Sequence, residues 1–193
     1  SIGISAMMHG YLAFNEQEDI LVPFRTWRNG NTTAAAKELS NAFNFNIPER
    51  WSIAHIYQAM LSAEPHTHQL DYVTTLAGYV HWYLTGEKVI GIGDASGMFP
   101  VDDSLDYNKK FLDKTNNLEE IKEIGINVRD ILPKVLTAGE FAGNLSQSGA
   151  KILDLNGDLK AGIPFCPPEG DAGTGMIATN TITKNTGNIS IGT

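Results

Sequence analysis

The sequence has little cysteine, no long apolar stretch and no excess of basic residues, and each shortage narrows the class of protein. Its one cysteine, Cys166, cannot form an internal disulfide, which is usual for a protein of a reducing compartment. No apolar run approaches the roughly 18 residues that a membrane-spanning helix needs. We therefore expect a cytoplasmic protein that has no membrane partner.

The charge balance is acidic, because 14 Lys and Arg residues stand against 22 Asp and Glu residues, for a formal net charge of -8. Nucleic-acid phosphates are bound by basic surfaces, so this balance argues against a nucleic-acid partner. It leaves a free nucleotide open, since single phosphates are held by backbone amides and metal ions. With 42% apolar and 19% charged residues, the composition is that of an ordinary globular domain.

Strand-like patterns near both ends of the chain enclose a helical middle, and this order favours an α/β fold. The segment from Ile2 to Met8 is predicted as a buried strand, residues 11–24 as a hairpin, and residues 135–145 and 162–166 as two later strands. Helices are predicted from Asn31 to Phe43, from Pro48 through Leu61, from a cap at Asp71 to a stop at Gly86, and from Asn116 to Gly125.

The most informative segment is the glycine-dense turn Gly170-Asp-Ala-Gly-Thr-Gly175, which joins a strand pattern to the first turn of a helix. A carboxylate in that place faces the edge where α/β sheets bind ligands, and the glycines let a substrate approach the backbone closely. Asp171 is therefore a candidate catalytic residue. Asp is also a favoured helix N-cap, so the spacing alone leaves a purely structural role for Asp171 open.

Three other polar segments are candidate sites, each with a structural alternative. His9 ends the first predicted strand, where it could bind a ligand hydroxyl or serve only as a structural histidine. Trp27 and Asn29 combine an aromatic ring with a hydrogen-bonding amide, a composition that suits a sugar site and equally a surface turn. His66 and His68 could bind a metal, but no third ligand lies nearby, so we expect no metal site.

Several short blocks, in order along the whole chain, together resemble the FGGY family of carbohydrate kinases. The blocks are the strand Ile2-Gly-Ile-Ser-Ala-Met-Met-His9-Gly10, the Trp block Phe24-Arg-Thr-Trp-Arg-Asn29, the segments Asp71-Tyr-Val73, Tyr83-Leu-Thr-Gly86 and Asp94-Ala-Ser-Gly97, the pair Gly170-Asp171, and the final Ser190-Ile-Gly-Thr193. The first of these is similar to the Met-His strand of xylulose kinases.

The resemblance implies an α/β fold of the actin-like ATPase (ribonuclease-H-like) type, with a mixed sheet and flanking helices, incomplete at both ends. Residues 1–180 would belong to the N-terminal domain of an FGGY kinase, without its first strands and its phosphate loop. Residues 181–193 would begin the C-terminal domain. We expect the phosphate loop to precede Ser1 and the ATP-binding domain to follow Thr193, so that this segment alone is inactive.

The implied activity is ATP-dependent phosphorylation of a sugar hydroxyl, with a ketopentose such as xylulose as the acceptor. Asp171 would accept the hydroxyl proton, and the nucleotide and residues outside this chain would carry Mg²⁺. The residues implied to bind the sugar are Met8, His9, Trp27, Asn29 and Asp171, and those implied to contact the ATP phosphates are Gly192 and Thr193.

Alternatives stay open at this stage. The protein could phosphorylate ribulose, gluconate or glycerol, or it could be a non-catalytic sugar-binding or regulatory module of the same fold. A hydrolase that pairs Asp171 with Glu169 is a further alternative, since glycosidases use two carboxylates. A homodimer is also left open.

Overall fold

The computed structural model describes residues 1–189, which form six short strands, nine α-helices and one 3₁₀ helix. In chain order the elements are β1 (Ser5–Ala6), β2 (Leu12–Phe14), α1 (Thr33–Phe43), α2 (Ser52–Leu61), the 3₁₀ helix (Pro65–Gln69), β3 (Tyr72–Thr74), α3 (Leu76–Thr85), β4 (Val89–Gly91), α4 (Ile92–Ala95), α5 (Lys109–Asn116), α6 (Glu119–Ile124), α7 (Val128–Ile131), β5 (Lys134–Leu136), α8 (Gln147–Leu153), β6 (Glu169–Gly170) and α9 (Asp171–Ala178).

The strands pair two by two, with both parallel and antiparallel partners. Strand β1 pairs with β6 and β4 with β5, both in parallel, whereas β2 and β3 are antiparallel. The Gly91 N–H donates to the Pro168 carbonyl at 2.8 Å, which links the end of β4 to the segment just before β6. The two parallel pairs therefore lie side by side, although β1 and β6 are far apart in the sequence.

Several helix ends follow local sequence chemistry. Helix α1 ends at Phe43, as predicted, because Asn44 adopts the left-handed conformation with φ of 52°. Helix α3 begins after Thr75, whose hydroxyl accepts from the Gly78 N–H at 3.2 Å. It ends at Gly86 with φ of 86°, and α6 likewise ends at Gly125 with φ of 79°.

Three predicted helix starts are wrong, one of them Asn116, which is the last residue of α5, so that the next helix begins at Glu119. The predicted start at Pro48 fails because residues 48–51 form a turn, in which the Trp51 N–H donates to the Pro48 carbonyl at 3.1 Å, and α2 begins at Ser52. The predicted cap at Asp71 fails because the next three residues pair with β2 as a strand, so that α3 begins only at Leu76. At Asp71 a long-range pairing overrides a helical pattern that looked continuous.

The predicted strands are shorter than expected. Residues 1–6 alternate between exposed and half-buried, so the first segment is a one-sided strand, and only Ser5 and Ala6 are extended enough to pair regularly. In the later region β5 ends at Leu136, and Asn144 forms a single bridge with Pro164. The sequence analysis did not foresee helices α5 and α8.

The main hydrophobic core lies among the helices and the middle strands. Leu39 of α1, Ile53 and Ile56 of α2, Ile90 of β4 and Ile121 of α6 are all fully buried in it. A smaller cluster under β1 and α8 includes Leu84 and Phe165. Within residues 1–189 no helix is long and apolar enough to cross a membrane.

Candidate active site

The parallel pairing of β1 with β6 brings two separate segments to one edge. Met8 and His9 follow the end of β1, and Asp171 follows the end of β6. The hydroxyls of Ser5 and Thr174 share a hydrogen bond of 2.7 Å, which ties β1 to α9. Open α/β sheets bind ligands at the carboxyl ends of their strands, and these three residues lie at such an edge.

Close packing at Gly170 sets the distance between the two segments. A Cβ at this position would lie 2.8 Å from the Met8 sulfur and 3.2 Å from Asp94 Oδ1. Both distances are shorter than ordinary van der Waals contacts, so a larger residue would push Met8 away from β6. The glycine before Asp171 is therefore needed for close packing, whereas its φ of −74° is one that any residue can adopt.

His9 is held by hydrogen bonds at both ring nitrogens. Its φ of 68° is left-handed, which is uncommon for a non-glycine residue. Nδ1 lies 3.0 Å from the Gly97 carbonyl, which only accepts, so Nδ1 carries the proton. Nε2 then accepts from Arg50 Nε–H at 3.1 Å. Burial lowers the pKa of His9, and the charge of Arg50 acts in the same direction against the raising effects of Gly97 and Asp171.

Trp27 and Asn29 approach the same edge from the loop after the predicted hairpin. The Trp27 side chain is 46% exposed, and the Arg28 guanidinium lies 5.0 Å from its ring centroid. The Asn29 N–H donates to the Thr26 carbonyl at 2.9 Å, and its Oδ1 accepts from the Asn31 N–H at 3.3 Å. The loop is thus a hydrogen-bonded turn that presents a large aromatic face.

Arg25 anchors the base of that loop. Its backbone carbonyl accepts from the Tyr11 N–H at 2.8 Å, and its guanidinium binds both carboxylate oxygens of Glu64, one of them at 2.9 Å. The hydrogen bond with Arg25 lowers the pKa of Glu64. His66 Nε2 pairs with the Tyr11 hydroxyl at 2.8 Å, so His66 belongs to this buried network.

Together these segments line a cleft of about 740 Å³. The structure brings all the predicted sugar-binding residues to it, namely Met8, His9, Trp27, Asn29 and Asp171.

The sequence analysis missed another wall of this cleft, formed by Pro48, Glu49 and Arg50. The run Pro-Glu-Arg-Trp has the same basic-and-aromatic composition as the Trp27 block, a signal that could have found it.

Asp171 is the first residue of α9 and does not cap it. Gly170 occupies the N-cap position, and the exposed Asp171 carboxylate makes no hydrogen bond with any residue of the described range 1–189. Glu169 is placed differently, because its carboxylate accepts from the backbone N–H groups of Gly93 at 3.3 Å and Asp94 at 2.9 Å. Glu169 therefore faces α4, and only Asp171 of the two carboxylates lines the cleft.

A second carboxylate, Asp94, lies fully buried behind this edge. Burial raises its pKa to about 7, the nearby charges of Glu169 and Asp171 add to this, and the hydrogen bond from the Thr75 hydroxyl opposes it. That bond, to Oδ2, is 2.6 Å long. Oδ1 is buried without a hydrogen-bond partner among the described residues.

Residues 1–189 contain no cluster of metal-binding side chains, since no group of three or more His, Cys, Asp or Glu residues there could hold a metal ion. The predicted phosphate contacts Gly192 and Thr193 lie outside the described residues.

A comparison with known protein families identifies the family of the chain. The family model of the FGGY family of carbohydrate kinases, N-terminal domain, matches residues 1–178. The chain belongs to the FGGY family. Its fold is accordingly the α/β fold of the actin-like ATPase type, as the resemblance implied. The FGGY match ends at residue 178, close to the predicted domain boundary at residue 180, which stays a prediction.

Solved structures with the same fold are kinases of different acceptors. A xyloylose (xylulose) kinase from Brucella ovis has a TM-score of 0.74 at 19% identity, over 94% of this chain and 36% of its own. A gluconate kinase from Lactobacillus acidophilus has a TM-score of 0.74 at 15% identity, over 92% of this chain and 35% of its own.

A Plasmodium falciparum glycerol kinase with ADP has a TM-score of 0.71 at 14% identity, over 95% of this chain and 36% of its own. This FGGY chain thus spans little more than a third of each of these structures. No curated protein sequence matches it.

Proposed function

We propose that the protein containing this chain phosphorylates a sugar hydroxyl with ATP, that its acceptor is a ketopentose such as xylulose, and that it works in the cytoplasm. The observation that carries the proposal is the position of Asp171. Its carboxylate lies at the end of β6, beside the end of β1, on a cleft that also exposes an aromatic face. Family membership supports the reaction class, and the Met-His strand supports the ketopentose.

The chemistry asked of this chain is binding and proton transfer. Met8, His9, Trp27 and Asn29 line the sugar site, with the Trp27 ring facing the C–H surface of the acceptor. As the hydroxyl attacks phosphorus, its proton passes to the Asp171 carboxylate, a role that needs only hydrogen-bond reach. Phosphoryl transfer otherwise depends mainly on positioning and on neutralising charge.

ATP supplies the phosphoryl group, and residues 1–189 do not by themselves form its site. The described part of the chain lacks a cluster of metal ligands, so no step is assigned to Mg²⁺ through these residues. We propose that Gly192 and Thr193 contact the ATP phosphates, and that the nucleotide and residues outside this chain carry its Mg²⁺.

Gluconate and glycerol are alternative acceptors, because kinases of both share the fold. The hydrolase alternative has less support, since Glu169 bonds the start of α4 and does not line the cleft with Asp171.

The test is the substitution Asp171→Asn in the intact protein, assayed with xylulose, ribulose, gluconate and glycerol. Asn keeps the size of the side chain but cannot accept the proton, so we expect kcat to fall by about 10²–10⁴-fold. The ATP KM and the melting temperature should change little, because Asp171 neither caps α9 nor bonds another described residue.

The matched control is Asp103→Asn, which removes an exposed carboxylate that does not line the cleft and should leave kcat unchanged. A variant Asp171→Asn that keeps more than about a tenth of the wild-type kcat would show that Asp171 is not the proton acceptor. An intact protein that binds a sugar but transfers no phosphate to any of the four acceptors would instead be a sugar-binding module.

A further inference from the structure

Backbone hydrogen bonds hold the Arg50 segment in place at the cleft. The Gly10 N–H donates to the Arg50 carbonyl at 3.3 Å, directly after the His9 turn. The Ser52 hydroxyl, in the first turn of α2, donates to the Gly10 carbonyl at 2.7 Å. These two bonds fix the segment before α2 against the end of β1, so that the Arg50 side chain enters the cleft from a defined place.

His9 has no ring nitrogen left for a ligand in this structure. A neutral imidazole has one N–H donor and one lone-pair acceptor. The donor, Nδ1–H, is used by the Gly97 carbonyl at 3.0 Å, and the acceptor, Nε2, is used by Arg50 Nε–H at 3.1 Å. There is also no space for the ring to retreat, since a Cβ at Gly97 would lie 2.5 Å from Nδ1.

Unlike His9, Arg50 has unused hydrogen-bonding groups, because only one of its donors is used. Its guanidinium carries five N–H groups, and the bond to His9 takes Nε–H alone. Its two terminal nitrogens make no hydrogen bond or ion pair within residues 1–189, and the residue is exposed on the cleft. We infer that Arg50 is the residue that donates hydrogen bonds to the oxygens of the acceptor sugar, and that His9 is a positioning residue that aims it.

The composition of the cleft fits this division of roles. Glu49 and Asp171 present carboxylates, which only accept, whereas the guanidinium of Arg50 only donates. A sugar carries hydroxyls that both donate and accept. Adjacent hydroxyls can therefore donate to these carboxylates and accept from the Arg50 guanidinium at the same time. A carboxylate of an aldonate such as gluconate would also accept from Arg50. The inference rests on the proposed function, because it assigns a contact to the same acceptor site.

The first experiment replaces the donor in the intact protein. Loss of a hydrogen bond from a charged donor weakens binding by about ten- to hundred-fold, so Arg50→Gln should raise the sugar KM by about that factor. The ATP KM should stay within about two-fold, and kcat should fall less than the KM rises, because the contact exists in the ground state. Lys110→Gln, which removes an exposed positive charge from α5 outside the cleft, is the matched control.

The second experiment asks whether His9 acts through Arg50. If it does, the double variant His9→Ala with Arg50→Gln should bind the sugar no more weakly than Arg50→Gln alone, because the two residues form one unit. Since the amide oxygen of Gln can accept from Arg50 Nε–H, His9→Gln should recover part of the sugar affinity that His9→Ala loses. A purely structural role of His9 would lower the melting temperature without this pattern.

Sugar dissociation constants measured by calorimetry without ATP keep the result separate from catalysis. A weaker sugar affinity in Arg50→Gln, together with non-additivity in the double variant, supports the inference even if no phosphate is transferred. Unchanged sugar affinity in a folded Arg50→Gln variant overturns it, and so does a double variant whose loss equals the product of the two single losses. Failure of the wild-type protein to phosphorylate any acceptor refutes the proposed function only.

Discussion

The buried carboxyl group of Asp94 makes a quantitative prediction about stability. Its side chain is fully buried, and burial raises its pKa from the ordinary 3.8 to about 7. Between those values the unfolded chain has already lost the proton that the folded chain keeps. The free energy of unfolding should therefore fall as the pH rises from about 4 to about 7.

The size of the effect follows from the pKa difference. A difference of about 3 pH units, at about 1.4 kcal/mol for each, amounts to on the order of 4 kcal/mol. This is a large share of the stability of a single domain, which is about 5–15 kcal/mol. Ionising Asp94 in the folded protein is unfavourable because the buried Oδ1 has no hydrogen-bond partner among the described residues, while Oδ2 has only the Thr75 hydroxyl.

The perturbation is Asp94→Asn, which keeps an oxygen for Thr75 but has no charge to bury. Urea unfolding of the wild-type protein and the variant should be measured at about pH 5 and about pH 8. The variant should be the more stable at the higher pH by up to about 4 kcal/mol, and this advantage should shrink towards the lower pH. Groups that do not interact with Asp94 titrate equally in both proteins, so the difference between the two reports Asp94 together with its coupling to Glu169 and Asp171.

Two results would refute this reasoning. If the stabilities of the wild-type protein and the variant changed in parallel with pH, the Asp94 pKa could not be raised by burial. If Asp94→Asn were clearly less stable at about pH 8, the ionised carboxylate would have to be stabilised by a partner. Asp103→Asn, which replaces a carboxylate at an exposed position, is the control for burial.

Two further predictions concern the core. Burial lowers the pKa of His55 from 6.5 to about 4, with the charges of Arg25 and His9 acting in the same direction, and neither ring nitrogen has a partner among the described residues. The free energy of unfolding should therefore fall as the pH falls from about 6.5 to about 4, because the unfolded chain then binds a proton that folded His55 does not. In His55→Phe this loss of stability in acid should be smaller. An equally steep fall in the variant would contradict the prediction. At the contact of α3 with α8, a Cβ on Gly149 would lie 3.0 Å from the Leu84 carbonyl carbon, so Gly149→Ala should destabilise the fold by about 1–3 kcal/mol. Gly3→Ala, which meets nothing within 4 Å, is its control, and equal melting temperatures for the two variants would contradict the prediction.

The sequence by itself determined what depends on neighbouring residues. The ends of α1 and α3 could be predicted because Asn44 and Gly86 take left-handed conformations that stop a helix locally. Asp171 could be picked out as a candidate because a carboxylate in a turn between a strand and a helix lies where α/β sheets bind ligands, although the same pattern also suits a helix N-cap. The short blocks, in order along the chain, were sufficient to predict that the protein belongs to the FGGY family, and the family match over residues 1–178 confirmed this.

Only the tertiary structure decided what depends on distant partners. Residues 72–74 form a strand because β2 pairs with them, although their own pattern continues into a helix. Asp94 belongs to a short Asp-Ala-Ser-Gly segment whose local pattern does not show that it is buried, yet burial gives it the raised pKa. Arg50 lies in a Pro-Glu-Arg-Trp run whose composition resembles that of the Trp27 block, but its role depends on a hydrogen bond to His9, 41 positions away, which no local pattern shows. Local patterns set helix ends and turns, whereas burial and side-chain pairing arise only when the chain closes on itself.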